Sequence, residues 1–255
     1  MRITNKIPDT WQELQSMVAQ VLQDCGMDVE VEKVIQTVRG SVEIDVYAEE
    51  TINSRKYSTI CECKHWKSNI PQHVIHGMRT VLSDIGCNKG YIITTSYFQS
   101  GSISAVDKTN LELLTWDEFQ EVFFEDWYEK YFCETLNSDL KLPSEYHLIP
   151  WFDDLSREDK RNYSRFRNNL SDINNIMSYF CLPLFEKKYN GINIQIPKLP
   201  LRGNLIETDS YEFMEFPNDI IDEVYYQEFL EKFIPYSKKS ILDFLELEKK
   251  YTSNP

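Results

Sequence analysis

Three residues able to do phosphoryl chemistry stand on two neighbouring segments: Asp45 in "SVEIDVYAEE", and Glu62 and Lys64 in "STICECKHWKS". Side chains alternate between faces along an extended strand. Glu62 and Lys64 therefore share one face with Ile60, while Thr59, Cys61, Cys63 and His65 take the other. In the first segment Asp45 falls with Glu43 and Tyr47, opposite Val42, Ile44, Val46 and Ala48. If the segments are adjacent antiparallel strands joined by a polar loop from about Glu49 to Tyr57, Asp45 comes to lie across from Glu62. Two carboxylates so placed repel unless a cation sits between them, and hard oxygen donors suit Mg²⁺ or Mn²⁺. Such an ion polarises a phosphoryl oxygen and lowers the pKa of a bound water. A lysine beside it orients or deprotonates that water and stabilises charge developing on the phosphate. These are the parts of metal-assisted phosphodiester hydrolysis. The same residues could instead form a cross-strand ion pair worth under about 1 kcal/mol.

The cysteines that bracket Glu62 invite a thiol or zinc reading. Six cysteines (25, 61, 63, 87, 133 and 181) are scattered without paired CxxC spacing, which is neither a zinc ribbon nor a disulfide framework. Reduced, buried thiols are expected. His73 and His76 stand three apart on one helical segment, but no third imidazole or thiol joins them, so they read as exposed helix residues.

These residues need a frame. Residues 9–25 carry Trp11, Leu14, Val18, Val21 and Leu22 at helical spacing, with Asp9 or Thr10 as a cap and Gly26 as a terminator. Three strands follow, "DVEVEKVIQTV", "SVEIDVYAEE" and "YSTICECKHW". The segment "PQHVIHGMRTVLSDIG" is a helix opened by Pro71 and closed by Gly86. A buried strand "GYIITTS", a polar helix from about Gln99 to Lys108, a strand "LELLTW" and a helix from Asp117 to about Tyr131 complete the order. Meander strands followed by alternating units imply a mixed sheet with helices on both faces. From about Glu134 a linker, "ETLNSDLKLPSEYHLIP", leads into aromatic-rich helical segments interrupted by a Pro-rich stretch, "IQIPKLPLRGN". Two domains are expected, 1–135 and 136–255, the second mostly helical and without a catalytic pattern.

With 42% hydrophobic and 13% aromatic residues the chain can build a real core, which excludes global disorder. No run approaches the roughly 18 apolar residues of a membrane span, and the N-terminus lacks an apolar signal core. A soluble cytoplasmic protein is the expectation. The formal net charge of −14 excludes a nucleic-acid binder that works by global charge. Affinity for nucleic acid would need a local basic strip, a metal or a partner. Lys56, Lys67, Arg79 and Lys89 are candidates for the strip, and Thr94, Thr95 and Ser96 could cradle a phosphate at a helix N-terminus.

The run from "RGSVEIDVYAEE" through "YSTICECKHWKSNIPQHVI" to "GYIITTSYFQSGSISAVDKTNLELLTWDEF", with the opening helix and strand, resembles the Mrr-type restriction endonuclease domain of the PD-(D/E)xK nucleases. The resemblance covers about residues 9–125 and implies a three-layer α/β/α fold. It implies Asp45 and Glu62 as metal ligands, the Cys63 backbone carbonyl as a further oxygen ligand, and Lys64 as the water-activating residue. Glu13 matches an acidic position of the first helix that can face the metal, and Gln72 a polar position behind the site. The proline of the family's name is absent, since Ile44 precedes Asp45. The implied activity is Mg²⁺-dependent DNA cleavage (Mn²⁺ substituting) in defence against foreign DNA, with residues 136–255 serving specificity, a protein partner or homo-oligomer assembly. The alternative is a noncatalytic module that keeps the fold and binds a partner.

Overall fold

The computed structural model describes residues 1–192, 195–205 and 216–252. By contacts the chain divides into two compact units, Met1–Tyr131 and Phe132–Pro255. The first is built as α1 (Trp11–Asp24), β1 (Asp28–Thr37), β2 (Gly40–Ile52), β3 (Arg55–Lys64), α2 (Gln72–Ile85), β4 (Lys89–Thr94), α3 (Ser100–Ser104), β5 (Leu111–Thr115) and α4 (Trp116–Trp127). The order expected from periodicity is the order observed. The sheet runs β1-β2-β3-β4-β5, antiparallel across the first three strands and parallel across the last three. Helices cover both faces, as in restriction endonuclease-like α/β folds.

One layer is fixed by α2. Ile75, Met78 and Leu82 of this helix pack with Ile60, Ile92 and Leu111 of the sheet and with Ala105 beyond α3. Gly90 lets α2 approach β4: a Cβ there would stand 2.5 Å from Leu82 Cδ1. On the opposite face Tyr91 meets Phe119 and Phe123 of α4 edge-on, at 6.3 and 5.6 Å between ring centroids. Leu14, Val18 and Leu22 of α1 are fully buried. Trp11, expected on the apolar stripe of α1, is 47% exposed because it occupies the helix's first turn.

Three local expectations change. The polar loop between β2 and β3 is only a two-residue turn, Asn53–Ser54, with φ of +50° and +65°. Paired left-handed residues match the right-handed twist of a hairpin, so the strands continue through charged residues that composition assigned to a loop. The polar helix after β4 shrinks to Ser100–Ser104. The last helix of the unit ends at Trp127 and gives way to a π-helical turn over Tyr128–Phe132.

The second unit holds α5 (Cys133–Asp139), α6 (Arg157–Phe185), α7 (Asn218–Ile221) and α8 (Tyr226–Thr252). The first residues of the expected linker are thus helical. The Pro-rich stretch lies in the described chain from Gln195 onward, whereas its first residue, Ile194, is outside the described residues. Aromatic side chains dominate the interior, with Phe132, Phe180 and Phe229 in edge or tilted contact. Asp159 at the start of α6 accepts hydrogen bonds from Ser156 Oγ at 2.8 Å and from the Tyr251 hydroxyl, and pairs with Lys250 at 2.7 Å. That cluster ties the N-terminal end of α6 to the C-terminal end of α8 and holds the Asp159 carboxyl down at about 2.

Candidate active site

A break in the alternation of β2 builds the site. Val46 stands opposite Cys61 in the β2–β3 ladder, and Tyr47 opposite Ile60. Directly opposed residues share a face, so Val46 lies on the face away from Ile60. Ile44, two residues earlier, nevertheless packs in the same cluster as Ile60, and Val42 packs against it. The strand therefore changes face between Ile44 and Val46, at Asp45. The strict alternation expected from sequence, with Ile44 and Val46 on one side, does not survive. The neighbouring strand registers the same event: Asp45 and its opposite number Glu32 are missing from the β1–β2 ladder, and Glu32 takes a left-handed φ of +54°.

With its backbone out of both ladders, Asp45 finds other partners. Its carbonyl accepts a hydrogen bond from Gln15 Nε2 of α1 at 2.7 Å. A buried peptide oxygen left unpaired would cost about 1–3 kcal/mol, and Gln15, only 2% exposed, removes that cost. The Asp45 carboxylate reaches across to β3, where Oδ2 accepts the Cys63 N–H at 2.7 Å. A side chain thus takes the place of the strand backbone at the point where β2 leaves β3. The register that ends at Val46↔Cys61 extrapolates to Asp45 opposite Glu62.

Glu62 and Lys64 point from the same face of β3 and form an ion pair, their side chains 25% and 20% exposed. Burial pushes the Glu62 carboxyl above its ordinary range, the Asp45 charge adds to that, and Lys64 only partly offsets it. Glu62 is thus a carboxylate held against its preference beside a second carboxylate. The Lys64 peptide is fixed from β4, its carbonyl accepting from Thr94 Oγ1 at 2.8 Å and from the Thr95 N–H at 3.4 Å. Cys61 and Cys63 are buried on the other face, and burial raises both thiols. They are packing residues, as alternation implied.

The remaining candidates disperse. Glu13 accepts the Asp9 N–H at 2.8 Å and pairs with Lys6 at 2.7 Å, tying down the entry to α1. Gln72 opens α2 exposed, its carboxamide oxygen beside Gly101. Lys56 begins β3, eight residues before Lys64 and so about 26 Å away along the strand, where it stands 3.7 Å from Glu49. Lys89 pairs with Glu112 at the start of β4, and Arg79 donates to the Ala105 carbonyl at 3.1 Å. Of the expected basic strip, Lys67 alone follows the end of β3 that carries Lys64. Most donors of the phosphate cradle are taken up internally. The Thr95 N–H goes to Lys64, the Ser96 N–H to Thr94 Oγ1 at 3.1 Å, and Ser96 Oγ to the Ser68 carbonyl at 3.0 Å. Gln15 was missed by sequence reasoning. Its signal was a polar residue on the buried stripe of α1, in step with Ala19 and Leu22.

Among the described residues no group of three or more His, Cys, Asp or Glu is placed to hold a metal. The donor set at Asp45 and Glu62 still fits a Mg²⁺-sized ion, which takes one or two carboxylates and keeps several waters. Burial, and after it the neighbouring Asp45 charge, raises the Glu62 carboxyl, with Lys64 lowering it only in part.

Compared with known proteins, residues 9–123 match the Mrr_cat family model, described as restriction endonuclease. No curated protein matches the chain. Among solved structures, the chain is similar to the crystal structure of AF1548, a protein of unknown function, at 14% identity and a TM-score of 0.38, over 66% of this chain and 99% of that one.

Proposed function

We propose that the Mrr-type restriction endonuclease domain carried by residues 9–123 makes this chain a divalent-metal-dependent DNA endonuclease of the cytoplasm, acting in defence against foreign DNA. The observation that carries the reading is the meeting of Asp45, Glu62 and Lys64 where β2 parts from β3. Asp45 and Glu62 would hold Mg²⁺ or Mn²⁺, with the Cys63 carbonyl as a third oxygen donor. The bound ion supplies Lewis-acid polarisation of the scissile phosphate and a water of lowered pKa. Asp45 is held in place by its bond to the Cys63 amide, and Gln15 fixes the Asp45 backbone. Glu62 restrains the Lys64 ammonium, which orients the attacking water and stabilises charge gathering on the phosphate oxygens. Residues 136–255 supply specificity, a partner contact or self-association.

Incubating the purified chain with supercoiled, linear and single-stranded DNA, with Mg²⁺ and with EDTA, tests the reading. Metal-dependent nicking that disappears in both Asp45→Ala and Lys64→Ala is expected; cleavage at the wild-type rate by both variants would sink it. The net charge of −14 favours a second reading, a noncatalytic module that works through a partner. Saturable Mn²⁺ binding by calorimetry, lost in Asp45→Ala, decides against that reading.

A further inference from the structure

A cavity of about 190 Å³ opens beside Lys64, where β4 and β5 end. Its floor includes Thr94 and Thr95, the residues hydrogen-bonded to the Lys64 carbonyl. Thr94 stands opposite Lys64 in the β3–β4 ladder, so the floor borders the end of β3 that carries the proposed site. One wall is Trp116, 4% exposed, stacked on Phe119 at 5.9 Å and 22°. Its Nε1–H donates to the Lys6 carbonyl at 3.0 Å, so the ring cannot swing out without breaking that bond. Ile7 and Tyr97 form the rim, each 72% exposed. Tyr97 is not a loose end: its carbonyl accepts the Ile70 N–H at 2.8 Å, which joins its loop to the one that follows β3.

We infer that this cavity takes one unstacked nucleobase of the DNA substrate, lying against Tyr97 beside the cleavage site; the inference rests on the nuclease reading and adds a substrate class to it. Two features disfavour the phosphate alternative. The amides of Thr95 and Ser96 are already used within the chain. Asp117 lines the cavity and presents a carboxylate acceptor rather than a donor to it. Its Oδ2 pairs with Arg2 at 3.0 Å, which leaves Oδ1 to accept from the exocyclic amine of a base. The volume is below the roughly 300 Å³ of drug-sized pockets and suits one ring system. Stacking also answers how a chain of charge −14 can hold nucleic acid, because a base offers its π-face whatever the charge around it. The base is either already single-stranded or extruded from a weakened pair.

Binding measured in EDTA separates this inference from cleavage. The probes are a single-stranded oligonucleotide carrying one 2-aminopurine, the same strand with an abasic position, a fully paired duplex, and a duplex with one mismatch. Wild-type chain is expected to prefer the single strand, and the mismatched duplex if extrusion operates, over the paired duplex. Affinity should fall about 5- to 150-fold in Tyr97→Ala and persist in Tyr97→Phe, with a shallow salt dependence. Equal binding of the abasic strand, unchanged affinity in Tyr97→Ala, or no binding of any probe overturns the inference. Cleavage assays on Asp45→Ala and Lys64→Ala judge the nuclease reading independently, since Tyr97 contributes nothing to either side chain.

Discussion

Glu62 is the residue whose chemistry and folding conflict most. Its native carboxyl is raised by burial and by Asp45, so the folded state holds the proton more tightly than the unfolded chain. Between the ordinary carboxylate pKa and the raised native one, the unfolded state binds fewer protons and stability falls as pH rises. Below the ordinary value the penalty is absent; above the native value it is complete. We therefore expect the Tm of Glu62→Gln to gain on that of the wild type as pH goes from acid to neutral, while cleavage is lost. Thermal melts of both proteins across that range check the sign. Mg²⁺ should raise the wild-type Tm in the neutral region and leave the variant unchanged, because only a native site that binds the ion is stabilised by it. Lys64→Ala removes the group proposed to orient the water, and a loss of about 10²- to 10⁴-fold in single-turnover cleavage is expected with the far-UV circular dichroism unchanged.

At the scale of elements, the site depends on where β2 stops pairing. Gln15 of α1 makes that break tolerable by occupying the Asp45 carbonyl, and Asp45 occupies the Cys63 amide. Gln15→Ala should cost about 1–3 kcal/mol in denaturant unfolding. It should also reduce cleavage through Asp45 placement, although Gln15 touches no substrate. A Tm drop with full retained activity would count against the positioning role. Across the sheet, Gly90→Ala would press a Cβ into buried Leu82 of α2 and is expected to destabilise by about 1–3 kcal/mol while leaving metal binding intact. Chemical denaturation with a parallel Mn²⁺ titration reads both quantities.

For the whole molecule, the second unit carries its own pH sensitivity. Asp159, at about 2 in the native state, favours folding above the ordinary carboxylate pKa, and that contribution disappears as pH falls through about 2. Asp159→Asn should shift the acid unfolding of α6 and α8 to higher pH, seen by hydrogen exchange, without altering Mn²⁺ binding at Asp45. The charge of −14 belongs to the chain as a whole and fixes how DNA can be held. With Lys56, Arg79 and Lys89 either remote or engaged within the chain, phosphate neutralisation has few agents near β3.

Much of the first unit was legible because local periodicity and punctuation agree with its fold. Pro71 and Gly86 bound α2, Thr10 caps α1, and period-two runs give the strands in order. Glu62 and Lys64 follow directly, since a regular parallel pairing with β4 keeps β3 in strict alternation. The Asn53–Ser54 turn was hidden because charged residues flank it and neither central residue is glycine. The change of face at Asp45 was hidden for a deeper reason. Alternation assumes an unbroken ladder, whereas here Glu32 on β1, Gln15 on α1 and the Cys63 amide on β3 jointly decide where the ladder breaks. The sequence by itself determined the candidate residues for the proposed chemistry, Asp45, Glu62 and Lys64, and the strands that bear them. Only the tertiary structure decided how Asp45 reaches them, because that depends on partners 13 to 30 positions away along the chain whose contact no local pattern encodes.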